Sequence, residues 1–560
     1  MSTQARDITD AAVEPQKTPL RFVTAASLFD GHDAAINVMR RLIQAEGTEV
    51  IHLGHNRAVA EVVRAAIQED ADGIAVSSYQ GGHTEYFRYM VDMLLDAGAG
   101  HIRVFGGGGG TITPDEIQAL QAYGVERIYH PNDGMNMGLN GMITDLVERT
   151  EAARQPSAEP AKTDLSDHLS IAQMLSALED GAVPAAKLET FRKEWQVASG
   201  NVPVIGITGT GGAGKSSVTD EILSRFVQHF PQMNIAVLAV DPTRRRTGGA
   251  LLGDRIRMNS LRKESLYMRS MATRRQHLST SAMLGDAVAF LKSMAFDLII
   301  VETAGIGQSD SEIVDFVDLP IYVMTSEFGA PSQLEKIDML DFAELIVLNK
   351  FDKRGADDAL RDVRKQWKRN HVKFDIADED IPVYPTIASQ FSDPGLTWMF
   401  ANLCRLLAQK MNFLVADWTP DVDVELKEPR ATVLIPANKT RYLSEIVEQG
   451  RRINRDIDEL IADAANRAQH CYEALKAIED PALPAALEVY AQGALTEPGD
   501  KSLVTLRQRY NSALDELGVE ARQLLMEWPE RLKGITDETF SYDVRGKKIE
   551  GPNYIESLSH

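Results

Sequence analysis

Cysteine is almost missing. Cys404 and Cys471 are the only two in 560 residues, too few for a disulfide framework and without metal-ligand spacing, so a reducing, cytoplasmic setting is expected. Positive charge is also short: 59 Lys and Arg face 81 Asp and Glu, for a formal net charge of −22. With no basic field, a phosphate-rich ligand must be held locally by backbone amides and a few cations, and nucleic acid is not an expected partner. No stretch reaches the roughly 20 apolar residues of a membrane span. The opening MSTQARDITDAAVEPQKTP lacks the apolar core of a signal peptide, so residues 1–20 are expected to be a disordered tail, with no membrane partner.

What is present is a chain too long for one hydrophobic core. Between residues 21 and 150, short apolar runs (RFVTAASLF, TEVIHLG, GIAVSS, IRVFGG) alternate with helical patterns such as AAINVMRRLIQAE. That alternation predicts a parallel sheet wrapped by helices. The polar interval EAARQPSAEPAKTDLSD marks a linker, taken as 151–200. A second α/β pattern runs over 201–415, through VPVIGITG, NIAVLAVD, FDLIIVETAG, LPIYVMTSE, AELIVLNKFD and IPVYPTIAS. Beyond it, 416–560 reads as long amphipathic helices. The fold class is therefore α/β: two parallel-sheet domains followed by a mainly helical region.

GTGGAGKS, residues 209–216, matches the phosphate-loop pattern and lies between a strand and a helix, the context that pattern requires. Gly211, Gly212, Ala213, Gly214, Lys215, Ser216 and Ser217 are candidate phosphate contacts. Converging amides bind oxygens at the helix N-terminus, Lys215 adds a point charge, and the Ser216 hydroxyl suits Mg²⁺. LIVLNKFD then ends a strand with Asn349, Lys350 and Asp352. A carboxylate at Asp352 can accept from the guanine N1–H and 2-amino group together, which selects GTP over ATP, and Ser389 in PTIAS is a further guanine contact. FDLIIVETAGIGQSD puts Glu302 at a strand tip ahead of Gly305, and Gln308 is a candidate for orienting the attacking water.

With the block AVDPTRRRTGGALLGDRIRM, which carries Asp241 and Asp254, this combination resembles the G-protein chaperones of cobalamin enzymes, the methylmalonyl-CoA mutase chaperone and ArgK-like group. The resemblance implies that Asp241, Asp254 and Glu302 sit around the Mg²⁺ site that Ser216 suits; Lys215, Glu302 and Gln308 are the candidates for GTP hydrolysis by their places in the motifs.

The stretch SLFDGHDAA resembles the start of the cobalamin-binding module of mutases, which carries DxHxxG, then SxL, then paired glycines. Asp30, Gly31 and His32 match the first three positions. The intervals also fit: 41 residues separate Ala35 from Ser77, and 26 separate Tyr79 from Gly106. Ala35 stands where the motif has Gly, and Tyr79 where it has Leu. The resemblance implies a flavodoxin-like domain in which His32 ligates cobalt from below and Asp30 orients it. Ser77 would bond the displaced nucleotide tail, and Gly106 and Gly107 would let that tail lie close to the backbone. His83, shortly after Ser77, is a candidate for the corrin face.

A cobalamin domain, a chaperone-type G domain and a helical connector together resemble adenosylcobalamin-dependent acyl-CoA mutases with an in-line G protein. That resemblance implies adenosylcobalamin, GTP/GDP and Mg²⁺ as ligands and a homodimer. It also implies a cobalamin adenosyltransferase as cofactor donor and an acyl-CoA mutase barrel as partner, in cis or in trans. No eight-fold strand-helix repeat follows Lys427, so isomerisation is expected only with the barrel added. The alternative is a stand-alone cobalamin carrier and GTPase serving a separate mutase.

Overall fold

The run RFVTAAS forms β1 (Arg21–Ser27) and is buried along its whole length, as a strand must be when helices cover both faces of a parallel sheet. In this computed structural model the described residues are 18–243, 249–252, 254–273, 277–303, 310–328, 334–427, 429, 442–496, 499–544 and 547–552. After β1 come α1 (Asp33–Ala45), β2 (Glu49–Arg57), α2 (Val59–Gln68), β3 (Gly73–Ser77) and α3 (His83–Asp96). They are followed by β4 (Arg103–Gly107), α4 (Pro114–Tyr123), β5 (Arg127–Tyr129) and α5 (Pro131–Ala153), which kinks at Gly138.

These strands pair in parallel in the order β5-β4-β3-β1-β2. The order reverses between β1 and β3, and in open α/β sheets the crevice beyond the strand ends at such a point is where ligands bind. Val23, Ile51, Ile74 and Phe87 fill one face of the sheet. Phe22, Ile43, Phe105 and Ile143 fill the other.

The interval 151–200, expected as a linker, contains α6 (His168–Glu179) and α7 (Ala185–Ala198). Ile171, Leu175 and Trp195 on these helices are buried with Val204, Leu238 and Phe290 of the next layer. The polar stretch seen in the sequence is only the entry to α6, whose cap is the Asp167 carboxylate accepting from Leu169 and Ser170.

The second sheet is built from β6 (Val204–Gly209), α8 (Lys215–His229), β7 (Ile235–Pro242), β8 (Ala250–Leu252), β9 (Leu266–Thr273), α9 (His277–Ser293) and β10 (Leu298–Thr303). It continues with β11 (Leu319–Thr325), α10 (Met339–Phe342), β12 (Leu345–Asn349), α11 (Ala356–Asn370), β13 (Val383–Pro385) and α12 (Pro394–Met411). Its order is β13-β12-β11-β6-β10-β7-β9, parallel throughout. One strand leaves: β8 pairs with β2 and extends the first sheet, with Glu49 opposite Ala250, Val50 opposite Leu251 and Ile51 opposite Leu252.

Residues 433–560 form a separate unit. It contains α13 (Tyr442–Arg455), a π-helical turn Asp456–Ile461, α14 (Ala462–Ala477), α15 (Lys501–Leu517), α16 (Val519–Thr536) and the antiparallel hairpin β14 (Thr539–Val544) and β15 (Lys547–Pro552). Ala464, Leu475, Tyr510 and Leu514 make its core. Among the described residues no helix is long and apolar enough to cross a membrane.

Candidate functional site

At the point where the first sheet reverses, β1 ends and the chain turns through Phe29, whose φ of 65° lies in the left-handed region. The turn leaves Asp30 almost fully buried at 2% exposure. Its Oδ1 accepts from the His32 backbone amide at 2.9 Å and from His32 Nδ1 at 2.8 Å. Its Oδ2 accepts from the Tyr79 amide at 2.7 Å. Burial works against the charged carboxylate, but the Tyr79 and His32 donors outweigh it and hold Asp30 below its ordinary pKa. The His32 side chain is 72% exposed. A neutral ring that donates from Nδ1 to Asp30 presents the Nε2 lone pair, the form that ligates a metal.

Beside this histidine lies an apolar cavity of about 280 Å³, walled by α1, the ends of β3 and β4, and α5. Ala35, Ile36 and Met39 form one side, and Met142, Ile143 and Leu146 the other. Ser77 reaches it from the tip of β3, and its buried Oγ has no hydrogen-bond partner among the described residues. Gly106, Gly107 and Gly108 complete the floor. A Cβ at Gly106 would stand 2.4 Å from Phe87, and one at Gly108 would stand 1.9 Å from the Ser78 carbonyl. These two glycines therefore serve close packing within the protein, a role the sequence reading had not given them. Tyr79 packs 5.2 Å from the His32 ring, so the residue standing where Leu was expected backs the histidine.

An exposed, carboxylate-buttressed imidazole, an apolar slot and an orphaned hydroxyl inside it fit a cobalt ligand beside a displaced nucleotide tail. His83 is placed elsewhere: it is buried, with Nδ1 on the Gln80 carbonyl at 3.1 Å and Nε2 3.3 Å from Glu116. His52 is buried against Thr24.

The second site follows β6. The loop opens at Gly209, where a Cβ would meet the Val323 carbonyl at 1.9 Å, and it needs left-handed φ values of 76° at Gly212 and 91° at Gly214. Gly214 caps α8, so the loop delivers its amides to a helix N-terminus. Lys215 Nζ donates to the carbonyls of Gly209 at 3.0 Å and Thr210 at 3.2 Å. Glu302, on neighbouring β10 and 2% exposed, accepts from Ser216 Oγ at 2.8 Å and from Thr219 Oγ1 at 2.8 Å. Thr219 is a contact the sequence reading missed; it lies one helical turn after Lys215, on the face that meets β10.

Asp241 is the next-to-last residue of β7, which pairs in parallel with β10, so it lies near the same end of the sheet as Glu302. Asp254 opens the short 3₁₀ turn Asp254–Arg257. A hydroxyl and a carboxylate beside a phosphate loop suit Mg²⁺, which takes few protein ligands and completes its shell with phosphate and water. Gln308 and Gly305 lie outside the described residues.

Asn349 is buried and ties two loops together. Its Nδ2 donates to the Ala213 carbonyl at 2.8 Å, and its Oδ1 accepts from the Ala388 amide at 3.0 Å and Thr386 Oγ1 at 3.2 Å. Lys350, with φ of 58°, donates to the Gly212 carbonyl at 2.7 Å. Asp352 and Ser389 stay exposed. The asparagine of NKxD thus braces the phosphate loop and leaves the aspartate open.

Fold and geometry together define a cobalamin-binding domain joined to a P-loop GTPase domain. Residues 20–136 match the family described as B12 binding domain. Residues 172–390 match the methylmalonyl Co-A mutase-associated GTPase MeaB family. In sequence the chain is similar to fused isobutyryl-CoA mutases over about half of their length. It is 46% identical over 550 residues to the fused isobutyryl-CoA mutase of Cupriavidus metallidurans, covering 96% of this chain and 48% of that protein. It is 44% identical over 550 residues to that of Geobacillus kaustophilus, covering 97% and 49%. The GTPase ArgK of Escherichia coli is 35% identical over 154 residues, 27% of this chain and 46% of that protein. The chain spans about half the length of the fused relatives it matches.

Proposed function

We propose that this chain is the cobalamin-binding and GTPase-chaperone portion of an adenosylcobalamin-dependent isobutyryl-CoA mutase, and that its GTPase controls cofactor loading and protection. The observation that carries the reading is the His32 ring, pinned by buried Asp30 and packed 5.2 Å from Tyr79, which lines the apolar cavity. His32 Nε2 would hold cobalt, Ser77 Oγ would bond the nucleotide tail, and the cavity floor at Gly106 and Gly107 would receive it. Adenosylcobalamin, when bound, supplies a carbon radical for rearranging isobutyryl-CoA and n-butyryl-CoA, chemistry that belongs to the longer protein with its acyl-CoA barrel.

On the GTPase side, the amides of residues 211–217 would bind the phosphates and Lys215 would leave its two carbonyls for the β and γ oxygens. Ser216, Asp241, Asp254 and Glu302 would surround Mg²⁺, which offsets phosphate charge. Asn349, Lys350, Asp352 and Ser389 would make the guanine pocket. Lys215, Glu302 and Gln308 would serve hydrolysis. The setting is cytoplasmic, with a homodimer, the mutase barrel and a cobalamin adenosyltransferase as partners.

The test is direct. The isolated chain should bind adenosylcobalamin and hydrolyse GTP but not isomerise isobutyryl-CoA until a mutase barrel is supplied. Isomerisation by the chain alone, or failure to bind either ligand, would overturn the reading.

A further inference from the structure

The connection between β7 and β9 packs against α1, which walls the apolar cavity, and against α8, which the phosphate loop begins. Its strand β8 is the edge of the first sheet, next to β2, while β7 and β9 on either side of it belong to the second. Gly249, just before β8, lies so close to the turn after α1 that a Cβ would stand 2.4 Å from the Gln44 carbonyl and 2.7 Å from that of Thr48. The opposite end of α1 carries Ala35, Ile36 and Met39 into the wall of the apolar cavity. Beyond β8, Ile256 fits against Gly54 of β2, where a Cβ would stand 2.9 Å from its Cδ1.

Arg255 enters the first domain as a buried cation. It donates to Glu69 Oε1 at 3.0 Å and to Gln68 at the end of α2, and to the Met268 carbonyl at 3.2 Å. Glu69 is fully buried and also accepts from the Ser270 amide and hydroxyl, both at 2.9 Å. A buried charge whose partner is removed is costly, so this contact strongly favours one placement of the segment.

The same segment is fastened to the phosphate-loop helix. Ser260 donates from its amide to Asp220 Oδ1 at 2.9 Å and from its hydroxyl to the Asp220 carbonyl at 3.1 Å. Asp220 is on α8, the helix that Lys215 and Ser216 begin. Arg64 of α2 adds a bond to the Arg262 carbonyl at 2.6 Å.

We propose that the described residues 249–252 and 254–262 are the route by which the nucleotide site and the cobalamin site alter each other's affinity, with Arg255 as the positioning residue. This rests on the two-ligand reading given above. A movement of α8 on nucleotide binding shifts Ser260, the shift is carried through Arg255 and β8, and Gly249 passes it to α1 and the cavity wall. Because binding linkage is reciprocal, cobalamin must act on the nucleotide by the same factor.

The experiment titrates the 560-residue chain with adenosylcobalamin, with and without a non-hydrolysable GTP analogue, and then with the analogue, with and without adenosylcobalamin. In the unsubstituted chain each ligand should change the other's dissociation constant by about fivefold or more, by equal factors. Arg255→Met combined with Glu69→Gln removes the ion pair without leaving a lone buried charge, and Gly249→Val forces β8 off the α1 turn. In both variants each ligand alone should bind within about twofold of the unsubstituted chain, and the coupling factor should fall to about one. A coupling factor that survives in the folded variants overturns the proposal, as does a factor of one in an unsubstituted chain that binds both ligands. A chain that binds neither overturns the two-ligand reading instead.

Hydrogen exchange on the unsubstituted chain needs no variant and covers the case in which one unfolds. Adding the GTP analogue alone should change protection of the β2 and β8 amides, and unchanged protection there would also overturn the route.

Discussion

Asp30 and His32 are joined twice, through the histidine's backbone amide at 2.9 Å and through its ring Nδ1 at 2.8 Å, both on one carboxylate oxygen. The carboxylate is buried while the imidazole it holds is exposed, so Asp30 sets the ring's tautomer and direction without occupying the ring's outer face. Asp30→Ala removes that control. Cobalamin affinity should fall by about 10- to 100-fold, the usual effect of losing a partner behind a metal-binding histidine. Equilibrium titration followed by visible absorbance reads it. Undiminished affinity would make Asp30 a turn-forming residue only.

Exposed Asp352 is proposed to accept two hydrogen bonds from guanine. Asp352→Asn exchanges an acceptor for a donor, which suits xanthine. GTP affinity should drop by about 10- to 100-fold, and xanthosine triphosphate should become the better ligand, because a polar pocket left mismatched discriminates strongly. Competition binding with both nucleotides measures this. An unchanged preference for guanine would remove Asp352 from the pocket.

Lys215 now rests on the Gly209 and Thr210 carbonyls, which leaves it placed to exchange them for phosphate. Lys215→Ala should abolish GTP hydrolysis. Without nucleotide present, its dissociation constant for cobalamin should match that of the unsubstituted chain, since the cavity lining contains no residue of the phosphate loop. Loss of both functions would indicate that the substitution disrupts folding.

The helical unit has its own electrostatic centre. Arg507 and Asp480 are both buried and form a two-point ion pair, and Tyr490 donates its hydroxyl to Asp480 Oδ2 at 2.8 Å. Hydrogen bonding from Arg507 leads the causes that lower the Asp480 pKa from 3.8 to about 2. A depressed carboxylate stabilises the fold fully above its unfolded pKa, and that stability is lost as pH falls through the folded value. The contribution of this pair should therefore be intact above about pH 4 and disappear toward pH 2. Asp480→Ala takes the two-point carboxylate partner from the buried Arg507 guanidinium and should cost the unit about 3–5 kcal/mol at neutral pH. Denaturant unfolding followed by circular dichroism checks both statements.

The sequence made the ligand-bearing strand ends legible because their motifs are local. SLFDGHDAA, GTGGAGKS and LIVLNKFD each place their polar residues just after an apolar strand, and the structure puts those residues at the carboxyl ends of β1, β6 and β12. Contacts made across the chain were not legible. ALL, three residues long, carries no strand signal by itself, and nothing local says that it joins the sheet of β2 rather than that of β7. Glu69 and Arg255 look like surface charges until the fold buries them against each other. Thr219 read as an ordinary helical residue, and its bond to Glu302 depends on β10 arriving beside α8.

The most direct test of the whole account is the electron paramagnetic resonance spectrum of the Co(II) cobalamin complex, prepared with ¹⁵N-labelled protein and unlabelled cofactor. If His32 is the lower ligand of cobalt, the nitrogen splitting of the high-field lines changes from the triplet of ¹⁴N to the doublet of ¹⁵N, and His32→Ala abolishes the doublet. A triplet that persists with labelled protein means that the cofactor's own base keeps its place on cobalt, which would contradict the account at its centre.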